Sequence, residues 1–207
     1  MPAPTEYRGT ITREQWLLNE TRTVARLRLD EGISTPTELV THVLEHDSFC
    51  YPTKKEQPSI ARACWRRLDA LSADPRLRRH LVSLIAHGTA DQAKQANLYA
   101  LMCDNRVVWD FVLCVLAPKF RSYSTALSRH EIEEYIAGLR LQSERASKWG
   151  DATLNKIRQV LSTCMEQCGM YDRKTEVLNP LLLDYELEDA IRINGDGGIL
   201  PGLGILD

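Results

Sequence analysis

The chain has 207 residues, of which 43% are hydrophobic and 26% are charged, and its formal net charge is −2. This length allows one large domain or two small ones with a sizeable core, and the composition is ordinary for a soluble globular protein. The slightly negative charge excludes a protein that binds nucleic acid as a polycation, so any nucleic-acid site must be a local basic patch.

The apolar segments are too short for a membrane protein. The most apolar run, residues 107–116, contains an aspartate and is about half the length of a membrane span. The N-terminus, M-P-A-P-T-E-Y-R, lacks the apolar core of a signal peptide. We therefore predict a cytoplasmic protein without membrane contact, whose six cysteines are reduced and mostly pack in the core.

Helical periodicity and capping patterns predict six helices in the first 122 residues. The first begins at Thr12 in a capping box and runs to about Glu31, and the second begins in a similar box at Thr35. The sixth, residues 106–118, is apolar on nearly all sides, which is typical of the buried centre of a bundle. The remaining three helices begin near Pro58, Asp74 and Thr89.

The second part of the chain has a different order of elements. Residues 120–127, rich in serine and threonine, predict a boundary between domains 1–122 and 123–207. Ser128 caps a seventh helix, residues 143–148 form one short turn, and a long helix lies within residues 149–169, with Asp151 or Thr153 as its cap.

Beyond Gly169 the periodicity changes from helix to strand. Residues 176–178 and 181–183 predict two short strands about a turn at Asn179–Pro180, followed by a helix over 187–194. The glycine-rich tail that follows is expected to lack regular structure, either packed or frayed. The predicted fold is mostly α: an N-terminal helical bundle packed on a C-terminal winged-helix-like module with one short β-hairpin.

The order helix, short helix, long helix and hairpin is that of a winged helix-turn-helix, which places its long helix in the DNA major groove. The apolar side of the long helix comprises Leu154, Ile157, Leu161, Cys164, Met165 and Cys168. Its opposite side and its ends carry residues suited to bases and phosphates. These candidate DNA-binding residues are Arg145, Lys148, Asn155, Lys156, Arg158, Gln159 and Arg173. The alternative is an ordinary solvated helix of a bundle.

A second basic region lies between Lys54 and Arg79, where eight basic residues stand against three acidic ones. Helical phase places most of its arginines on outward faces and Arg67 at the flank of the third helix. The candidate phosphate-binding residues here are Lys54, Lys55, Arg62, Arg66, Arg76 and Arg79. The alternative is a basic face that pairs with the acidic residues near the C-terminus.

Signals for catalysis and for metals are weak. The chain has no serine-nucleophile elbow, phosphate-binding loop or dinucleotide-binding fingerprint. Glu38, His42 and His46 share one helix face but lack the zinc-protease pattern, and Cys164 with Cys168 is only half a metal site. We therefore predict a binding protein rather than an enzyme, with no catalytic residues, metal, cofactor or small-molecule substrate.

Four segments resemble the BrxA family, the small helical component of BREX bacteriophage-defence systems: Y-R-G-T-I-T, S-I-A-R with R-R-L, W-D-F-V-L and W-G-D-A-T-L-N-K-I-R-Q-V-L. The resemblance spans nearly the whole chain. It implies an all-helical protein whose first part is like the antitermination factor NusB, with a non-enzymatic, DNA-binding role beside other BREX components. It supplies no residue-level site.

The resulting hypothesis is a protein that binds double-stranded DNA mainly through phosphates, with strong salt dependence and weak sequence specificity. RNA binding is one alternative, although aromatic residues that stack on single strands are scarce on the basic faces. A protein-interaction scaffold within the defence complex is the other.

Overall fold

The computed structural model describes residues 6–206. The residues outside this range are Asp207 and Met1–Thr5, and the prediction that the N-terminus is not a signal peptide rests mostly on the latter. Within that range the chain is mostly helical, with a single two-stranded antiparallel hairpin, as predicted. The α-helices are α1 Ile11–Glu14, α2 Leu18–Asp30, α3 Pro36–His46, α4 Gln57–Asp69, α5 Pro75–His87, α6 Ala90–Asp104, α7 Arg106–Phe111, α8 Ala117–Arg121, α9 Arg129–Gln142, α10 Glu144–Ser147, α11 Asp151–Gln167 and α12 Tyr185–Ile193. The strands are β1 Tyr171–Asp172 and β2 Val177–Leu178.

Residues Leu17–Ala100 form one compact unit. In it α2 packs on both α4 and α5, and α3 packs on α4. The predicted small-residue face of α6 is fully buried, because alanines let helices approach closely; its members are Ala93, Ala96 and Ala100. Two arginines of α2 close the C-terminal end of α5: Arg22 and Arg26 donate to the Ala86 carbonyl oxygen at 3.3 and 3.0 Å. These bonds satisfy a carbonyl that has no partner within its helix.

A buried cation lies in this unit. The Arg67 side chain of α4 exposes 0% of its surface, although helical phase predicted it at the flank of the helix. Its Nη1 lies 3.5 Å from both Thr21 Oγ1 and Asn97 Oδ1. A guanidinium is tolerated inside a protein only when acceptors surround it. Thr21 of α2 and Asn97 of α6 each supply one such acceptor, so Arg67 of α4 links these two helices.

The described parts of Met1–Trp16 and Leu101–Asp207 form the second compact unit. Here α9 packs on α10 and α11, and α1 contacts α11. The contacts thus group residues 101–122 with the C-terminal half of the chain. The division into domains 1–122 and 123–207 stays a prediction about which segments fold independently.

The prediction of one helix from Thr12 to Glu31 is wrong. Helix α1 ends at Glu14, and Gln15 and Leu17 adopt left-handed backbone angles, with φ of 38° and 46°. Thr12 Oγ1 donates to the Gly9 carbonyl oxygen instead of capping the helix. Left-handed angles cost energy in residues other than glycine. Trp16 lies between the two strained residues and is buried.

The prediction of an apolar helix buried on all sides over residues 106–118 is wrong in two respects. A π-helical segment, Val112–Leu116, interrupts it, and Leu113 and Cys114 are exposed. The glycine-rich tail is also more ordered than expected, because Gly197–Leu203 forms a 3-10 helix with Ile199 and Leu200 buried. This 3-10 helix packs against the π-helical segment and α8.

Gly202 is required at the contact between those two segments. A Cβ at this position would overlap the Val112 carbonyl oxygen and lie 2.6 Å from Val112 Cγ1. By contrast, a Cβ at Gly198 in the same 3-10 helix would meet nothing within 4 Å. Gly202 therefore permits the close packing of the tail against Val112, whereas Gly198 is not needed for it.

The predicted capping boxes at Thr35, Thr89 and Ser128 are confirmed. At Ser128 the Glu131 carboxylate accepts from the backbone N–H of Ser128 at 2.8 Å and from Lys119 Nζ at 2.6 Å. The Lys119 ammonium and the Ser128 N–H lower the pKa of Glu131 below its usual value. This carboxylate therefore joins α8 to the start of α9.

Replacing Glu131 with glutamine should lower the free energy of unfolding by about 0.5–1 kcal/mol near pH 7, because it keeps the cap but loses a partly exposed ion pair. A lowered pKa in the folded state stabilises the fold above the unfolded pKa, and this contribution is lost as pH falls through the folded pKa. Urea melts between pH 3 and 7 should therefore show a weaker pH dependence for Glu131→Gln. An unchanged dependence would contradict this role of Glu131.

Candidate nucleic-acid interface

The predicted order of helix, short helix and long helix is present in α9, α10 and α11. Ser143 ends α9, and its side chain accepts from the Ala146 N–H to cap the one-turn α10. Neither Asp151 nor Thr153 caps α11, because the N-cap is Gly150 and Asp151 is the first helical residue. Within the predicted apolar side Leu154 and Cys168 are only half-buried. Its fully buried members are Ile157, Leu161, Cys164 and Met165, and Val160, which was not predicted there, is also buried.

The hairpin lies after α11, and the strand predicted at residues 176–178 is confirmed as β2, but the strand predicted to pair with it is wrong. Residues 181–183 are not a strand; β2 Val177–Leu178 instead pairs with the earlier β1 Tyr171–Asp172. Pro180 has no N–H to donate, and the Leu181 N–H is bound to the Leu203 carbonyl oxygen. The turn consequently falls at residues 173–176, where Arg173 and Lys174 are exposed.

The segment predicted as a domain boundary holds the base of this hairpin. The Leu178 N–H donates to the Thr125 carbonyl oxygen at 2.7 Å, and the Leu127 N–H donates to that of Glu176 at 3.0 Å. The Glu176 carboxylate also accepts from the Arg129 N–H at the start of α9. The hairpin is therefore fixed to the N-terminal end of α9 as well as to α11.

The outward side of α11 and the tip of the hairpin form one surface. Asn155 and Gln159 are exposed, and Lys156 and Thr163 are half-exposed. Arg173 at the hairpin tip donates from Nη2 to Thr163 Oγ1 at 2.6 Å. We name this surface, Asn155, Lys156, Gln159, Thr163, Arg173 and Lys174, the α11–hairpin face. Residues 155–163 extend over about 12 Å of helix, a length comparable with the width of the major groove.

Several predicted DNA-binding cations are engaged by acids of the same unit. Arg158 exposes 17% of its side chain, and its Nε lies 3.3 Å from Glu133 Oε1, so it joins α11 to α9 instead of pointing outward. The remaining pairs and their N–O distances are Arg145 with Glu6 at 2.5 Å, Lys148 with Glu144 at 3.0 Å and Arg173 with Glu166 at 3.0 Å. Their charge is therefore partly neutralised before any ligand binds.

Two lysines of the α11–hairpin face form no ion pair within residues 6–206: Lys156 and Lys174. The Lys174 N–H and, to a smaller degree, the Lys174 charge lower the pKa of Asp172. Lys174 was missed in the sequence because the turn was placed six residues too late. The signal was Asp172, whose carboxylate accepts from the Lys174 N–H at 2.8 Å and closes the turn. Arg13, exposed on α1 beside α11, was missed because α1 was taken for the start of a longer helix.

A polar recess of about 650 Å³ lies beside α10 and includes Tyr7, Arg106, Arg145 and Lys148 in its lining. The Tyr7 hydroxyl donates to Asp110 Oδ2 at 2.6 Å, and Arg106 lies over the Tyr7 ring at 4.5 Å. Burial and this hydrogen bond raise the pKa of Tyr7 to about 12. The phenol is therefore neutral at physiological pH and fixes the N-terminal segment to α7.

The second predicted cluster lies in the Leu17–Ala100 unit, on the loop before α4 and on helices α4 and α5, which contact each other. Lys54 Nζ donates to the Leu44 carbonyl oxygen near the end of α3. Arg62 is exposed and Arg66 half-buried. Five exposed cations of the cluster have no acidic partner among residues 6–206: Lys54, Lys55, Arg62, Arg76 and Arg79.

The residues weighed as metal ligands have other contacts. Glu38 caps α3 through the N–H groups of Ser34 and Thr35, which lower the pKa of its carboxyl. His42 stacks on His46, with ring centroids 4.2 Å apart. Within residues 6–206 no group of three or more His, Cys, Asp or Glu side chains is arranged to hold a metal, and no helix is long and apolar enough to cross a membrane.

Comparison with known proteins gives three matches. The model of the BrxA family matches residues 5–195. The BREX protein BrxA of Bacillus cereus (strain H3081.97) is 26% identical over 194 residues, which cover 92% of each chain. The crystal structure of an uncharacterized protein from Magnetospirillum magneticum superposes with a TM-score of 0.76 at 23% identity, over 95% of this chain and 97% of that one. The last match concerns the fold alone.

Proposed function

The chain belongs to the BrxA family, and from this premise we propose that it is a cytoplasmic, non-enzymatic component of a BREX bacteriophage-defence system that binds double-stranded DNA. The helix-turn-helix with its hairpin acts as a winged helix. In this proposal α11 enters the major groove and the hairpin tip contacts the neighbouring phosphates.

The observation that carries the proposal is the contact between Arg173 and Thr163. It joins the hairpin tip to the outward side of α11, so that amide, hydroxyl and ammonium groups follow one another on a single face. Asn155 and Gln159 have the donor and acceptor pairs that bind base edges, and Lys156 and Lys174 supply charge for phosphates. The buried side of α11 fixes which residues point outward.

We expect the α11–hairpin face to bind DNA with modest affinity. Two unpaired lysines and a partly neutralised Arg173 make few phosphate contacts, and the net charge of −2 gives no attraction at long range. Arg158 is not a reader in this proposal, because its guanidinium belongs to the packing of α9 on α11. Binding should therefore be sensitive to salt and only weakly sequence-specific.

Reversing the two unpaired lysines, Lys156→Glu with Lys174→Glu, should weaken binding to a duplex of about 30 base pairs roughly tenfold at low salt. It should also reduce the slope of log K against log salt by about 0.9 for each lost phosphate contact. The measurement is fluorescence anisotropy between 50 and 200 mM salt.

The matched control is Arg76→Glu with Arg79→Glu, which changes the net charge equally but lies on α5. If the control weakens binding and the lysine variant does not, the affinity comes from the α5 surface and the winged-helix proposal is wrong. Unlabelled RNA duplex that competes better than DNA would favour the RNA-binding alternative. No binding to either nucleic acid at low salt would favour the scaffold alternative.

A further inference from the structure

The outer surface of α12 exposes large apolar side chains that the proposed DNA contact does not use. Tyr185 and Ile193 are 75% and 66% exposed, and Leu182, two residues before the N-cap of the helix, is 92% exposed. Tyr185, Asp189 and Ile193 follow one another at intervals of four, so they share one face of the helix. The opposite side packs inward through Leu187, Ala190 and Ile191. An exposed apolar surface of this kind is typical of a protein-interaction site.

Carboxylates surround this surface. Glu186, Glu188 and Asp189 all lie on α12, and Asp184 precedes them as the N-cap. The only basic residue of the helix, Arg192, is bound to Glu188 at 2.8 Å. Asp189, in the middle of the exposed face, has no ion pair among residues 6–206. The surface therefore has exposed apolar side chains on both sides of Asp189, and further carboxylates lie along its flanks.

We propose that the outer face of α12, formed by Leu182, Tyr185, Asp189 and Ile193, is a docking surface for a basic amphipathic helix of a partner protein. Leucine-like side chains of such a helix cover the three apolar residues, and its lysines or arginines pair with Asp189 and Glu186. The negative edges repel both the phosphates of DNA and anionic lipid. A symmetric contact with a second copy of this chain would bring the same carboxylates together, which opposes self-association.

A fluorescein-labelled 18-residue helical peptide, with leucine along one side and lysine on its flanks, is the probe for this surface. Its binding to the full chain is measured by anisotropy. The variant Leu182→Ser/Tyr185→Ser/Ile193→Ser should bind at least tenfold more weakly, and Asp189→Lys should also weaken binding. The control Leu141→Ser removes an equally exposed leucine, 92% exposed on α9, and should bind as the unchanged chain does.

Equal binding by the triple variant, or an equal loss in Leu141→Ser, would overturn the proposal. A peptide with glutamate in place of lysine should not bind, and if it binds as well, the carboxylates have no role. Light scattering on the unchanged chain should give a monomer. A dimer that the triple variant abolishes would assign the surface to a second copy. The triple variant should keep its affinity for DNA, so loss of this site is distinguishable from loss of the proposed function.

Discussion

Arg67→Ala is expected to lower the free energy of unfolding by about 3–5 kcal/mol, because it leaves a large cavity and removes a buried donor from its acceptors. The guanidinium is fully buried, with Thr21 Oγ1 and Asn97 Oδ1 both 3.5 Å from Nη1. The loss of stability would appear as a lower urea concentration at the midpoint of unfolding. If the slope of the unfolding free energy against urea concentration is unchanged, the difference belongs to the folded state.

Two further variants separate the causes of this loss. Arg62→Ala, an exposed arginine on the same helix, should change stability by less than about 0.5 kcal/mol. Arg67→Met keeps most of the volume and removes the charge, so it should cost about 1–3 kcal/mol for the unsatisfied polar groups. An Arg67→Ala chain as stable as Arg62→Ala would show that the guanidinium does not hold α2, α4 and α6 together.

Gly202→Ala is expected to destabilise the chain by about 3 kcal/mol, at the upper end of the cost of overpacking. The added Cβ would overlap the backbone oxygen of Val112, and a backbone atom cannot rotate away as the end of a side chain can. The 3-10 helix would have to move off the π-helical segment and expose Ile199 and Leu200, which are buried against the rest of the unit.

Gly198→Ala is the matched control, since it adds the same methyl group to the same 3-10 helix, in open space and without a left-handed backbone angle. It should leave the unfolding free energy within about 0.5 kcal/mol of the unchanged chain. Thermal melts of the two variants compare them directly. Equal melting temperatures would mean that the tail does not depend on its contact with Val112.

Local sequence signals predicted much of the fold. Thr35, Thr89 and Ser128 begin helices because their hydroxyls and the glutamate or glutamine three residues later satisfy free N–H groups. The inward side of α11 was predictable because its apolar residues recur with the helical period. These features depend on a few neighbouring residues, which the sequence displays directly.

Features that depend on distant partners were not predictable. The burial of Arg67 depends on Thr21 and Asn97, which lie 46 and 30 residues away in the chain, and no local pattern marked the left-handed angles at Gln15 and Leu17. The hairpin was misplaced because residues 181–183 look like a strand, although Leu181 is bound to the 3-10 helix instead. At the proposed interface, Asn155 and Lys156 were predicted as DNA-binding residues from their residue types. The pairing of Arg158 with Glu133 depends on α9 and was not predicted.

The way the hairpin is fixed has a consequence for how the protein can change during evolution. Leu178 is bound to Thr125, and Glu176 is bound to Leu127 and to the start of α9, whereas residues 173–175 of the tip are exposed. An insertion or a charge change at Lys174 or Thr175 should leave the strand pairs and the contacts of Arg173 and Glu176 intact. Lys174 and Thr175 are therefore the positions of this hairpin where length and charge can change without a new fold.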